Sequence, residues 1–261
     1  MGDVVVSRHD AAPGVAELML DRAEALNAVS TAQGAAIASA ARELADDPSV
    51  RVVVLSSAAE KAFCVGADLK ERNGMTDEEL NRHRPVSAQT YRSILDLPVP
   101  VVAAVHGHAL GGGLELALSC DLIVVDETVK LGLPEVTVGV IPGGGGTQLL
   151  TRRIGWGRAA DLIFSGRFVD AAEAYRLGIA DRMVEAGQDR TVAVGLATTI
   201  AANSPVGVRQ AKRAMRHGYD SGLAAGLEIE DAAWRTTAFS GDRKEGVAAF
   251  NEKRTPNWPG V

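Results

Sequence analysis

Short runs of aliphatic and β-branched residues recur through the first two thirds of the chain, each followed by a polar or glycine-rich break and a stretch with helical spacing. Residues 16–20 read as a strand. Ser30, with Gln33 three positions on, gives the capping-box spacing ahead of a helix over 35–44. Residues 51–55 return to strand. The segments 101–105 and 122–125 are continuously apolar and β-branched, which fits strands covered on both faces better than half-exposed ones. Residues 111–119 between them read as a helix. Repeated strand, helix, strand units imply right-handed crossovers with helices outside the sheet, an α/β architecture.

From about Asp189 the strand signals cease and helix signals accumulate. Ser204 and Pro205 supply an N-cap and a first-turn proline, and further helices are expected over 223–237 and 242–250. The chain therefore divides into a core over 1–190 and a helical region over 191–261. An appendage of this kind must pack on something, either the core or a neighbouring subunit. The stretch 72–91 is polar, contains Asn73-Gly74 and Asp77-Glu78-Glu79, and reads as a mobile loop.

Composition narrows the function classes. With 261 residues and 46% hydrophobic content, the chain is long and apolar enough for one substantial core. Its 27 basic and 33 acidic residues give a formal charge of −6, and no basic block marks a nucleic-acid footprint. Cys64 and Cys120 have no CxxC spacing and are expected as free thiols in a reducing compartment. The chain start lacks the basic stretch and apolar core of an export signal. The apolar run at 99–105 is far shorter than the roughly 20 residues of a membrane-spanning helix. A soluble cytoplasmic protein, with no membrane partner, is the expectation.

The chemistry centres on two glutamates, Glu115 and Glu135, each in glycine-rich surroundings with almost no other charge nearby. A carboxylate that loses water without a partner is costly, and its pKa rises toward the range useful for proton transfer near neutrality. Gly111 to Gly113 lie where a buried strand hands over to a helix, so their amides would point toward an anion. Taken alone, that cluster is equally well a tight turn. Asp68 reads as the cap of a helix starting at Leu69, and a sharp turn at Gly66 and Ala67 would make the Ala67 amide a second donor toward a developing negative oxygen.

Other chemistries find no support. The Gly143–Thr147 tract lacks the lysine of a phosphate loop, and no dinucleotide fingerprint is present. His106 and His108 lack zinc-ligand spacing and are expected as packed or hydrogen-bonded side chains. No metal and no separate cofactor are expected.

Three motifs in register then carry a resemblance: Ala62-Phe-Cys-Val-Gly-Ala-Asp-Leu69, Ala109-Leu-Gly-Gly-Gly-Leu-Glu115, and Pro134-Glu135 followed by Ile141-Pro-Gly-Gly-Gly-Gly-Thr-Gln148. In order and spacing they resemble the enoyl-CoA hydratase (crotonase) family. The match extends to Leu20-Asp-Arg-Ala-Glu-Ala-Leu-Asn27 near the start and Glu245-Gly-Val-Ala-Ala-Phe-Asn-Glu-Lys-Arg254 near the end. The resemblance implies a crotonase (ClpP/crotonase-like) fold, a spiral of βαβ units with C-terminal helices that build a homotrimer or a hexamer of two trimers. It implies an acyl-CoA thioester as substrate, with coenzyme A part of that substrate, and a place in fatty acid metabolism.

By motif, the Ala67 and Gly112 amides would form the oxyanion hole, Glu115 would activate water, and Glu135 would exchange a proton at the α-carbon. The expected reaction is syn hydration of a trans-2-enoyl-CoA to a 3-hydroxyacyl-CoA. Coenzyme A contacts are implied at Glu24, Ala25, Ala67, Asp68, Leu69, Lys70 and Gly112, and from a neighbouring subunit at Phe250 and Lys253. The acyl pocket would lie along 72–91.

Alternatives within and beyond the family remain. An isomerase needs one placed carboxylate, and this chain has two. Asp68-Leu-Lys-Glu-Arg72 and the two glycine motifs also resemble the methylglutaconyl-CoA hydratase branch, which implies a branched acidic acyl chain. A catalytically silent acyl-CoA carrier has little use for two buried carboxylates. The acidic charge weighs against an RNA-binding role.

Overall fold

The computed structural model describes residues 3–261; Met1 and Gly2, where the reading of the chain start begins, lie outside the described residues. In chain order the elements begin with β1 (Val4–Arg8), β2 (Val15–Leu20), α1 (Thr31–Asp46), β3 (Val52–Ser57), β4 (Ala62–Cys64), α2 (Leu69–Asn73) and α3 (Asp77–Leu95). They continue with β5 (Val101–Val105), β6 (His108–Leu110), α4 (Gly112–Leu118), β7 (Leu122–Asp126), β8 (Lys130–Gly132), α5 (Gly146–Ile154), α6 (Trp156–Ser165), β9 (Val169–Asp170), α7 (Ala171–Leu177) and β10 (Arg182–Val184). Four helices close the chain: α8 (Asp189–Ala201), α9 (Pro205–Tyr219), α10 (Leu223–Ala238) and α11 (Gly241–Glu252).

Two sheets organise these elements, one of six strands in the order β1-β2-β3-β5-β7-β10 and one of four in the order β4-β6-β8-β9. The pairs β3 and β4, β5 and β6, and β7 and β8 each place one strand in the large sheet and the next in the small one. Three successive turns of this kind make a spiral. The large sheet is parallel apart from β1, and β4, β6 and β8 are parallel in the small one. The expected α/β crotonase-like spiral is what the chain forms.

Strand alternation divides the core in two, because successive side chains leave a strand on opposite faces. Val53, Leu55, Val101, Ala103 and Val105 face the small sheet and join α1 and α4 in the larger cluster. Val52, Val54, Val102, Ala104 and Val124 face the other way, under Ala193, Ala197 and Ala201 of α8. The continuously apolar strands are thus covered on both sides, as their composition requires.

The helix caps act as expected. Ser30 accepts from the Gln33 amide, Ser204 from Gly207, and Asp68 from Lys70 and Glu71. The reading of 72–91 as a loop is corrected: Thr76 and Glu79 form a capping box, and α3 then runs for 19 residues. Thr90, Tyr91, Ser93 and Ile94 are its buried residues, at spacing that keeps them on the core side. Pro85 and a run of charged side chains on the solvent face masked that periodicity in the sequence.

Two charge clusters fasten α8 to the sheet. Glu17, fully buried on β2, accepts from both Arg190 Nε and Nη2 at 2.7 Å and from Ser56 Oγ at 2.6 Å. Burial pushes that carboxyl up, but Arg190, Ser56 and His9 together hold it below its ordinary value. His106 lies between Asp189 Oδ2 at 3.0 Å from Nδ1 and the Ala59 carbonyl at 2.8 Å from Nε2. An imidazole with an acceptor at each nitrogen is best served by carrying both protons. His108, by contrast, stands exposed on β6 with no side-chain hydrogen bond among the described residues, which corrects the expectation that it is packed or hydrogen-bonded. Cys64 and Cys120 are buried free thiols.

No single helix among the described residues is long and apolar enough to cross a membrane. The α8 and α9 pair passes by composition together, but is bent by 107° and α8 is spent on the sheet.

The hydrogen bond that His106 donates to Asp189 raises the His106 pKa above its ordinary value. The stabilisation is therefore complete below the unfolded-state value and is lost as pH rises through the higher folded-state value. Urea unfolding across pH 5.5 to 9 should show this loss, and Asp189→Asn should flatten it; an unchanged profile in that variant removes His106 from the pH dependence.

Candidate active site

The small sheet and the loops at its strand ends bring Glu115 and Glu135 together. Glu115 is on α4 and 3% exposed. Its Oε1 accepts hydrogen bonds from the Gly144 amide at 2.6 Å and the Gly146 amide at 2.7 Å. The tract 143–146, rejected as a phosphate loop, is thus an anion cradle whose anion is a side chain of the same chain. Glu135 lies in a short 3-10 turn, Pro134–Val138, directly after β8. Its Oε1 would be 3.0 Å from a Cβ built on Gly111, and its buried Oε2 has no hydrogen-bond partner among the described residues.

The two carboxyls are therefore unlike. Burial raises the Glu115 pKa, opposed by the Gly146 and Gly144 amides and by the charges of Arg84 and Arg72. Burial pushes Glu135 up to about 7, with no amide from another residue to oppose it and with the Glu115 charge adding to the rise. One is a tethered acid group and the other is poised near neutrality.

Three consecutive glycines are each required for a different reason. Gly111 has φ +52° and ψ −123°, a conformation that L side chains rarely adopt. A Cβ on Gly112 would be 2.3 Å from the Tyr91 hydroxyl, and one on Gly113 would be 1.9 Å from the Cys64 carbonyl oxygen. That last approach presses α4 onto β4. Gly66, with φ +92°, turns the chain after β4 so closely that its Cβ position is 3.1 Å from the Gly112 nitrogen. The amides of Ala67 and Gly112 are consequently neighbours, and neither has an acceptor among the described residues.

The remaining sequence-derived residues fall into two groups. Glu24 and Ala25 form the 3-10 turn Ala23–Ala25, joined to the Ala67–Lys70 turn by Arg22 Nη1 to Asp68 Oδ2 at 2.8 Å and by the bridge of Val29 with Ala67. Leu69 and Lys70 open α2 beside them. Phe250 and Lys253 are on α11 and its left-handed C-cap, and α11 packs on α9 and α10. Phe250 is 84% exposed, and within one chain these two residues join neither glutamate.

Sequence reasoning missed Gly144, Gly146 and Tyr91. The glycine tract lacks the lysine of a phosphate loop, and nothing local in the sequence names another anion for its amides. Tyr91 is 5% exposed; a Cβ on Gly144 would be 2.7 Å from its ring, so that ring fills the space between the cradle and Gly112. Burial and then the Glu115 charge raise its pKa, so it remains a neutral phenol.

A pair of unlike carboxyls beside two unpaired amides has the groups that proton transfer next to a developing negative oxygen requires. The family model described as enoyl-CoA hydratase/isomerase matches residues 10–260, and the chain belongs to that family. An enoyl-CoA hydratase from Bacillus anthracis shares its fold with a TM-score of 0.96 and 40% identity, covering 99% of this chain and 100% of that one. An enoyl-CoA hydratase from Mycobacterium smegmatis matches with a TM-score of 0.91 and 31% identity, covering 99% of both chains. The mitochondrial methylglutaconyl-CoA hydratase of Mus musculus is 40% identical over 251 residues, 95% of this chain and 80% of that protein.

Gly113→Ala should destabilise the fold by about 3 kcal/mol, since backbone rather than a flexible side chain occupies the Cβ position. Gly157→Ala on α6, where nothing lies within 4 Å, should gain up to about 1 kcal/mol instead. Chemical unfolding of both variants checks the contrast, and equal stabilities contradict the close approach of α4 to β4.

Proposed function

We propose that the protein is an enoyl-CoA hydratase, adding water syn across a trans-2-enoyl-CoA to give a 3-hydroxyacyl-CoA, and reversing that reaction. The observation that carries this reading is the pairing of Glu115, held by two amides, with Glu135, pushed up to about 7 and lacking a partner for Oε2. A single water must deliver hydroxide to the β-carbon and a proton to the α-carbon. Two carboxyls over one pocket share that work when one is ionised and the other protonated.

In the forward direction Glu115 takes a proton from water as its oxygen attacks the β-carbon. Electron density moves to the thioester oxygen, where the Ala67 and Gly112 amides receive the enolate. Glu135 then gives its proton to the α-carbon and the carbonyl re-forms. Loss of one such oxyanion donor typically costs about 3 to 4 kcal/mol of transition-state stabilisation in other enzymes. No metal or separate cofactor takes part in this scheme. Both carboxyls are present where an isomerase needs one, which favours hydration.

The coenzyme would run along Glu24, Ala25 and the turn from Ala67 through Asp68 and Leu69 to Lys70. Phe250 and Lys253 would reach it from a neighbouring copy. The exposed apolar surface of the C-terminal helices supports a homotrimer or a hexamer: Met215, Tyr219, Leu227 and Trp234 line a groove of about 790 Å³ between α9 and α10.

Purified protein mixed with crotonyl-CoA should bleach the conjugated thioester absorbance, and no loss with crotonyl-CoA, a longer 2-enoyl-CoA or methylglutaconyl-CoA overturns the hydratase reading. Glu115→Gln and Glu135→Gln should each lower hydration by at least about a hundredfold while coenzyme A affinity stays nearly constant. Near-normal turnover removes the residue concerned from the mechanism. Because Glu135 must be protonated to donate and ionised to accept, hydration should fall as pH rises through about 7 and dehydration should fall as pH drops through the same value. Parallel profiles in the two directions contradict the assignment.

A further inference from the structure

The two amides that hold Glu115 are not equally secure. Gly146 is buried and is the first residue of α5, so the helix fixes its amide. The Gly144 amide comes from the tract before that helix, where glycines at 143, 144 and 145 leave the backbone free to rotate. In a trans peptide the carbonyl and the amide point in opposite directions. A half turn of the unit joining Gly143 to Gly144 would therefore swing its carbonyl oxygen onto the Glu115 carboxylate in place of the amide. That orientation needs an external hold.

Helix α3 supplies it with two side chains. Arg84 Nη2 donates to the Gly143 carbonyl at 2.5 Å, while the Gly144 amide at the other end of the same unit donates to Glu115 at 2.6 Å. A Cβ on Gly143 would lie 3.6 to 3.8 Å from the guanidinium atoms, so that group rests against the tract. Tyr91, about two turns further along the same face of α3, packs its ring 2.7 Å from the Cβ position of Gly144. One helix thus grips the peptide at its carbonyl and at its flank. Among the described residues the Arg84 guanidinium has no carboxylate partner, and the Gly143 carbonyl is the acceptor it reaches. A charged donor on a carbonyl also polarises the peptide, which strengthens the hydrogen bond its amide makes. Arg84 pulls the Glu115 pKa down, in the same sense.

We propose that Arg84 is a positioning residue for Glu115: it fixes the Gly143–Gly144 peptide with its amide on the carboxylate, so that Glu115 is the member of the pair that acts as base. The inference rests on the hydratase reading of that pair. Arg84 bonds neither carboxyl and acts only through the peptide. Without it, the glycine tract is free to turn its amide away, and burial then pushes Glu115 toward the protonated form that cannot take a proton from water.

The test is Arg84→Met, which keeps the aliphatic stem and removes the donor; Arg84 is exposed, so the change leaves the core intact. In enoyl-CoA hydration by the full chain, kcat should fall about tenfold with KM nearly unchanged. Hydration needs ionised Glu115, so the acid limb of its pH profile should move to higher pH. Arg84→Lys should restore part of the rate. On a Glu115→Gln background Arg84→Met should cost nothing further. The ratio of wild type to Arg84→Met should persist at about 1 M salt, because a bonded peptide is not screened as a charge acting across solvent is. Infrared titration of the carboxyl band that Glu115→Gln removes follows the same ionisation without turnover, and in Arg84→Met it should shift to higher pH. An unchanged kcat and pH profile, an equal loss on the Glu115→Gln background, or a ratio that collapses with salt overturns the positioning role. If the wild type hydrates no enoyl-CoA, the hydratase reading fails and the infrared titration decides alone: a shift upholds the hold of Arg84 on Glu115, and no shift overturns it.

Discussion

A carboxylate oxygen buried to within a few per cent of complete exclusion from water must find donors, and Glu115 finds them in two backbone amides of the 143–146 tract. Much of the site's architecture follows from that demand. Backbone can come this close to a side chain only where Cβ atoms are absent: one on Gly146 would sit 3.0 Å from the Glu115 oxygen, and one on Gly144 would enter the Tyr91 ring. The same interaction fixes the start of α5 against α4. Through Gly112 and Gly113, α4 is in turn seated on Tyr91 and the Cys64 carbonyl. A single hydrogen-bonded carboxylate thereby ties together four segments distant in sequence.

The two sheets divide the labour. The large one, apolar on both faces, provides the rigid body, with α8 anchored over it by the Glu17–Arg190 and His106–Asp189 contacts. The small one has strands of only two or three residues, and its value lies in the segment that leaves the end of each strand. The turn at Gly66 and Ala67 comes after β4, the glycine triplet and Glu115 after β6, and Glu135 after β8. Because β4, β6 and β8 are parallel neighbours, their ends deliver these groups to one edge.

Opposite environments make two chemically identical side chains unlike. Glu115 is tethered by amides and flanked by two guanidinium charges, all of which favour ionisation against its burial. Glu135 has an oxygen with no partner and an anionic neighbour, both of which favour the protonated form. A difference in protonation between adjacent carboxyls is what acid and base roles on one water require.

Much of this was legible in the chain itself. Continuous apolar runs announced strands covered on both faces, the Ser30, Asp68 and Ser204 caps announced helix starts, and isolated carboxylates among glycines marked the candidate site. Those signals are local, and local sterics and hydrogen bonding suffice to read them. The α3 helix was hidden because its buried face is sparse, its exposed face is charged and Pro85 interrupts the pattern; only packing against the core reveals which residues face inward. The glycine tract at 143–146 showed that backbone amides were free to bind an anion, but not which anion. That choice, like the placing of Tyr91 against Gly112 and Gly144 and of Arg84 on Gly143, depends on segments separated by tens of residues meeting in space. The sequence by itself determined the elements and the kinds of chemical group available; the tertiary structure alone decided their partners, because burial and distance between remote segments set both the hydrogen bonds and the charge each group can carry.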